Sequence, residues 1–227
     1  MFGGQANPQL TIRAIINRGG EQGAQHSQVL HSWFAHIPGL RVVMPYGVLD
    51  ARDLLIASVF CKDPVIYIDD RSLYEDSEDY KEIKFLNLKD EKPRKIIEGK
   101  DLTIISSGYS TKLAKKAIEE ISNVFPNKTV ELIDLRIISP LDISIIIESI
   151  KKTGSFIVID GGWKTCGLGS ELISSVMEKV DPYFVKNRPV NISLKESPAP
   201  SSKTLEEEYF TSIKEIFIEI ENFLRKI

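Results

Sequence analysis

Residues 38–68, PGLRVVMPYGVLDARDLLIASVFCKDPVIYI, decide the fold. Arg41–Met44 and Pro64–Ile68 are short, apolar and rich in β-branched residues, the composition of strands covered on both faces of a parallel sheet. Leu49–Cys61 between them has the length of a helix, and Pro38-Gly39 and Pro45-Tyr46-Gly47 supply the breaks. Parallel strands need a crossover rather than a tight turn, so the stretch reads as one βαβ unit. Upstream, Leu10–Ile16 predicts another strand and Ser27–Phe34 a helix. Residues 1–75 therefore read as part of an alternating α/β domain.

From about Tyr74 to Asp101 the chain turns charged and only weakly periodic, and residues 76–100 are expected to link two domains. In residues 101–227 the expected order is strand Leu102–Ser106, helix Ser110–Ser122, strand Thr129–Asp134, then a helix Ser144–Lys152 capped near Asp142. Strand Phe156–Asp160, helix Leu168–Val180 and strand Val190–Leu194 follow, with one or two closing helices in Leu205–Leu224. The fold class is α/β: two open, mostly parallel sheets with flanking helices.

The chain has 29 basic and 32 acidic residues, a formal charge of −3, and no dense basic run that would neutralise a phosphate backbone. Nucleic acid is not an expected partner. Cys61 and Cys166 have no Cys or His neighbours at metal-ligand spacing, which fits reduced thiols in a cytoplasmic protein. No stretch approaches the roughly 20 apolar residues that cross a bilayer.

His26 follows the loop Gly19-Gly20-Glu21-Gln22-Gly23 and precedes the predicted helix, an exposed position. An imidazole there titrates near neutral pH and can donate to an oxyanion or protonate a leaving thiolate. His31 and His36 follow at intervals of five, which turns them apart on a helix, so no metal cluster is expected. His36, just before Pro38, reads as packing at a helix end. Gly167-Leu168-Gly169 opens a helix after a strand, but lacks the third glycine and the acidic residue of a dinucleotide fingerprint; close helix–strand packing is expected instead.

Three ordered stretches carry a resemblance. They are Gly23-Ala24-Gln25-His26-Ser27-Gln28 with Trp33-Phe34-Ala35-His36 and Pro38-Gly39-Leu40; Asp50-Ala51-Arg52 with Asp63-Pro64-Val65-Ile66; and Glu131-Leu132-Ile133-Asp134-Leu135-Arg136 with Ser139-Pro140-Leu141-Asp142 and Gly162-Trp163. In this order they resemble the beta subunits of thiamine-diphosphate-dependent 2-oxoacid dehydrogenases, the E1 components of pyruvate and branched-chain complexes. The resemblance implies a partial pyrimidine-binding domain (1–75) and a transketolase-type C-terminal domain (101–227). It also implies that about a hundred residues of the family's first domain are not in this sequence, among them a glutamate that protonates the cofactor's aminopyrimidine.

By the same resemblance His26 assists acyl transfer to a lipoyl group, and Arg13 and Gln25 lie at the cofactor. The loop holding Ser58, Val59, Cys61 and Asp63 is similar to one whose backbone carbonyls hold a potassium ion. Thiamine diphosphate with magnesium would be shared with an E1 alpha subunit. A second beta chain, a dihydrolipoyl acyltransferase (E2) and a small 2-oxo acid complete the implied partners. The implied location is the cytoplasm, or the mitochondrial or plastid matrix of a eukaryote. Alternatives are half of a split transketolase or deoxyxylulose-phosphate synthase-like enzyme, partly echoed by Gly20-Glu21-Gln22-Gly23-Ala24-Gln25-His26, and a non-catalytic assembly remnant.

Overall fold

The computed structural model describes residue 5 and residues 8–226. The first half runs β1 (Thr11–Ile16), α1 (Gly23–His26), α2 (His31–Ala35), β2 (Arg41–Val43), α3 (Val48–Phe60) and β3 (Val65–Asp70). The second runs β4 (Arg94–Ile97), β5 (Leu102–Ser106), α4 (Tyr109–Val124), β6 (Val130–Asp134), β7 (Ile137–Ser139), α5 (Ser144–Thr153), β8 (Phe156–Trp163), α6 (Leu168–Lys179), β9 (Val190–Leu194), α7 (Lys203–Tyr209) and α8 (Ile213–Leu224). The strands form two sheets, ordered β1-β3-β2-β7 and β4-β6-β5-β8-β9. All pairings are parallel except those of β7 with β2 and of β4 with β6, so the expected α/β class stands.

The helices form where apolar residues recur at helical spacing. In α4, Leu113, Ala114, Ala117, Ile118 and Ile121 are buried on one face, and α8 presents Ile216, Ile220 and Phe223 to the same core. Each such burial of a large aliphatic side chain contributes roughly 1.5–3 kcal/mol. Ser212 and Glu215 form a reciprocal capping box that starts α8, which is why the closing segment splits into two helices. Gly154, with φ +74, ends α5 in the left-handed conformation that glycine adopts without strain.

One local expectation is corrected, and two further features go beyond the sequence reading. Ser27–Phe34 is not one helix: the Ser27 hydroxyl donates to the Asn17 carbonyl (2.8 Å) and Val29 is buried in the core, so the chain leaves the helix after His26 and re-enters at His31. Within residues 76–100, Leu88 is buried against the first half and Arg94–Ile97 forms an edge strand. The first sheet also takes its fourth strand, β7, from the second half, so the two sheets are laced together by a segment 94 residues beyond β2 in the paired register Val43↔Ile137 (137 − 43).

Arg136, 2 % exposed and at φ +61, makes that lacing possible. Its guanidinium donates twice to the Asp50 carboxylate, at 2.6 Å each, and once to the Lys92 carbonyl at 2.9 Å, while Glu91 lies 2.8 Å from Nη1. Its own carbonyl accepts from Met44 N (2.8 Å), the first residue past β2.

Two residues earlier, Asp134 is fully buried. Burial, and then the negative charge of Asp50, push its carboxyl up to about 7. A raised acid pKa means the folded state holds the proton longer than the unfolded chain does. This contribution to stability is complete at low pH and is lost as pH rises from about 4 through about 7. Asp134→Asn removes the titration, and its stability advantage over the parent should grow by about 2–3 kcal/mol between pH 5 and pH 8. Urea unfolding of the two proteins at both pH values measures this; pH profiles that run parallel would contradict it.

Candidate functional site

Because β1 and β3 run parallel, the loops leaving their carboxyl ends lie together, the place where open α/β sheets bind ligands. Ile15, Asn17, Gln22, His26, Arg71 and Tyr74 line an open cleft of about 320 Å³ there. A second hollow of about 380 Å³, lined by Arg18, Gly19, Gly20 and Ser72, shares Asn17, Gln22 and Arg71 with the first. The two are neighbours on either side of these shared residues.

His26 ends α1 and is exposed, and its carbonyl accepts from Asn17 N at 3.0 Å, which fixes the base of the loop that carries it. Arg13 does not line the cleft but braces its wall. Its guanidinium donates to Asp69 at 2.6 and 2.9 Å and to the Tyr74 hydroxyl at 2.7 Å, and the Asp69 bond raises its pKa further. Gln25 is exposed on α1 and is not among the lining residues. The structure thus brings His26 and, through Tyr74, Arg13 to one site, and leaves Gln25 outside its wall.

Arg71, Tyr74 and Asn17 went unremarked in the sequence. Arg71 is the notable one: among the described residues no carboxylate pairs with it, and its one hydrogen bond runs to Asn17 Oδ1 at 3.2 Å. The neighbouring arginines are committed, Arg13 to Asp69 and Arg18 to Asp70. The signal was present as an arginine placed directly after a buried, β-branched strand, at its carboxyl end.

Ser58, Val59, Cys61 and Asp63 lie at the opposite end of β3. The Ser58 carbonyl accepts from Thr11 Oγ1 (2.8 Å) and Cys61 N (3.2 Å). Arg41, at 2.8 Å, and Lys89 hold the Asp63 carboxyl below the usual carboxylate range. Side chains at this turn are therefore internally satisfied, and an ion there would be met by carbonyl oxygens.

A larger, mainly apolar cleft of about 760 Å³ lies between α2 and the start of α6, lined by Trp33, His36, Trp163, Cys166, Leu168 and Glu171 among others. It does not include His26, and the hydroxyl of Thr165 in its lining donates to the Glu196 carboxylate. Near it, buried His31 places Nε2 3.0 Å from Asp160 without forming a well-directed hydrogen bond, and the Asp160 carboxylate accepts from Gly162 N (2.9 Å) and Gly169 N (2.8 Å). A Cβ on Gly169 would stand 2.4 Å from Asn191 Oδ1, so this glycine serves close packing of α6 on β9, as expected.

The cleft residues suit the ring end of a thiamine diphosphate. Ile15, Tyr74 and His26 offer an apolar wall with a titratable group, suited to the rings and the reacting end. Among the described residues no group of three His, Cys, Asp or Glu side chains could hold a metal ion.

Residues 92–216 match the family described as "Transketolase, C-terminal domain". The chain is 35% identical to the pyruvate dehydrogenase E1 component subunit beta of Rhizobium meliloti (strain 1021), over 95% of this chain and 46% of that protein. It is 32% identical to the acetoin:2,6-dichlorophenolindophenol oxidoreductase subunit beta of Cupriavidus necator, over 95% of this chain and 63% of that one. A solved split-gene transketolase, described as an inactive beta4 tetramer, shares the fold with a TM-score of 0.74 at 20% identity, over 95% of this chain and 66% of that chain. The chain thus spans about half to two thirds of the length of the relatives it matches. No helix among the described residues is long and apolar enough to cross a membrane.

Proposed function

This chain belongs to the transketolase C-terminal domain family, and from that premise we propose that it is the beta-type component of a thiamine-diphosphate-dependent 2-oxoacid dehydrogenase. An alpha-type subunit would share the cleft, a second beta chain would complete the assembly, and a lipoyl-bearing acyltransferase would dock on the closing helices α7 and α8. The supporting observation is His26, exposed at the carboxyl edge of β1 and β3 beside Tyr74 and Arg71.

The bound cofactor would supply the carbanion chemistry, and magnesium would sit with the diphosphate on the partner. This chain's own part is smaller. Ile15 and Tyr74, exposed in this chain alone, would be covered by the partner and face the reacting end, Arg13 and Asp69 hold Tyr74 in place, and His26 Nδ1 or Nε2 carries a proton to or from the acyl acceptor. A carbonyl-bound potassium at the Ser58–Asp63 turn, and a location in the cytoplasm or an organelle matrix, belong to the same proposal.

Co-expression with an alpha-type subunit and with a segment equivalent to the part of the relatives that this chain does not span tests the reading. The complex should decarboxylate a small 2-oxo acid with dichlorophenolindophenol as electron acceptor; assembly without turnover on any 2-oxo acid would overturn it.

Arg71 favours a second reading, half of a split transketolase-like enzyme working on a phosphorylated sugar. A cleft-lining guanidinium that pairs with no carboxylate among the described residues is suited to a phosphate. On this reading Arg71→Ala raises KM for the phosphorylated substrate by about 10- to 100-fold, the worth of one or two charge-assisted hydrogen bonds. A 2-oxo acid without a phosphate should be affected less than threefold, and steady-state kinetics on both substrate classes separates the readings.

A further inference from the structure

The loop that carries His26 is held in an unusual shape by the far half of the chain. Gly19 (φ +71), Glu21 (φ +55) and Gly23 (φ +60) all sit in the left-handed region, which a glutamate occupies only under strain. Such a shape persists only if its surroundings impose it. They do so from residues 199–210 and from the start of α4.

Arg18 is the centre of that seat. Its side chain is 8% exposed, Nε lies 3.1 Å from the fully buried Asp70 carboxylate, and the guanidinium stacks 4.3 Å from the Phe210 ring centre and 5.1 Å from that of Tyr109. Beside it, Glu21 N donates to the Glu206 carboxylate (3.1 Å), and Glu206 is 3% exposed. A Cβ on Gly23 would stand 3.3 Å from Ser201.

We propose that Arg18 is a positioning residue, clamped by Asp70, Tyr109 and Phe210, through which the second half of the chain fixes the loop 17–26 and hence the approach of His26. Glu206 supports the same loop at Glu21. A partner that shifts α7 would thereby reach the histidine. The link to catalysis rests on the proposed role of His26; the clamp itself does not.

Hydrogen exchange on the full chain tests the clamp without any turnover. In Arg18→Ala, amides of residues 17–26 should exchange about tenfold faster or more, with those of β5, β6 and β8 unchanged. Arg18→Lys should recover only part of the protection, because it keeps the charge for Asp70 but lacks a planar group to lie between two rings. Glu206→Ala, a second variant at a different contact, should loosen residues 20–23. Unchanged exchange in the loop, or an equal rise everywhere, would overturn the proposal. The reconstituted complex then separates the clamp from the function. If the loop loosens and kcat falls at unchanged KM for the oxo acid, the positioning role stands. Should the loop loosen while kcat holds, that role is refuted. If even the parent complex has no activity, the fault lies with the assigned function and the exchange result still decides the clamp.

Discussion

Arg136→Ala should cost about 3–5 kcal/mol of folding stability, a large part of the roughly 5–15 kcal/mol a domain has. The substitution leaves Asp50 without its bidentate partner, facing only Arg94 at 3.4 Å, and strips the Lys92 carbonyl and Glu91 of a donor. It also frees β7 from the position that lets it pair with β2. Arg136→Gly separates two contributions. It loses the same ion pair, but glycine accepts φ +61 without strain, so it should be about 1 kcal/mol less harmful than alanine. Arg13→Ala serves as the comparison: its pair with Asp69 is half-exposed on the arginine side and should cost no more than about 1 kcal/mol. Urea midpoints of the three variants rank them. Equal losses for Arg136→Ala and Arg13→Ala would mean that the junction between the sheets does not depend on Arg136.

His26→Ala, in the reconstituted complex, should slow acyl transfer to lipoamide by about 10²–10⁴-fold, the range for removing a positioned general acid or base. Thiamine diphosphate affinity should fall far less than acyl transfer, because His26 is one of several residues lining the cleft. The fold should tolerate the change: only its backbone carbonyl is bonded, to Asn17 N, and alanine keeps that. Stopped-flow reductive acylation and cofactor titration, taken together, distinguish the role. A matched loss of acylation and of cofactor binding, with a lowered unfolding temperature, would make His26 a structural residue.

The β-branched runs at Arg41–Met44 and Val65–Ile68 made the βαβ unit legible, since a strand buried on both faces leaves a local signature. The helices α4 and α6 were equally legible from their apolar spacing. What could not be read was non-local. Ile137–Ser139 is three residues long and becomes a strand only because β2 lies alongside and Arg136 anchors the turn before it. The helix expected over Ser27–Phe34 failed because a hydrogen bond from Ser27 to Asn17, a tertiary contact, outweighs local spacing. At the site, His26 stood out as a titratable group after a glycine-rich loop. Arg71 and Arg18 did not, because an arginine's meaning depends on whether a carboxylate waits for it: Asp70 waits for Arg18, and none of the described carboxylates waits for Arg71.

A structure of this chain bound to an alpha-type partner and thiamine diphosphate would test the shared cleft most directly. The account predicts cofactor density between the two polypeptides, its rings against Ile15, Tyr74 and His26 and its diphosphate and magnesium on the partner's side. Cofactor seated instead in the apolar cleft of Trp33 and Trp163, or bound wholly within the partner with the His26 face turned to solvent, would contradict it.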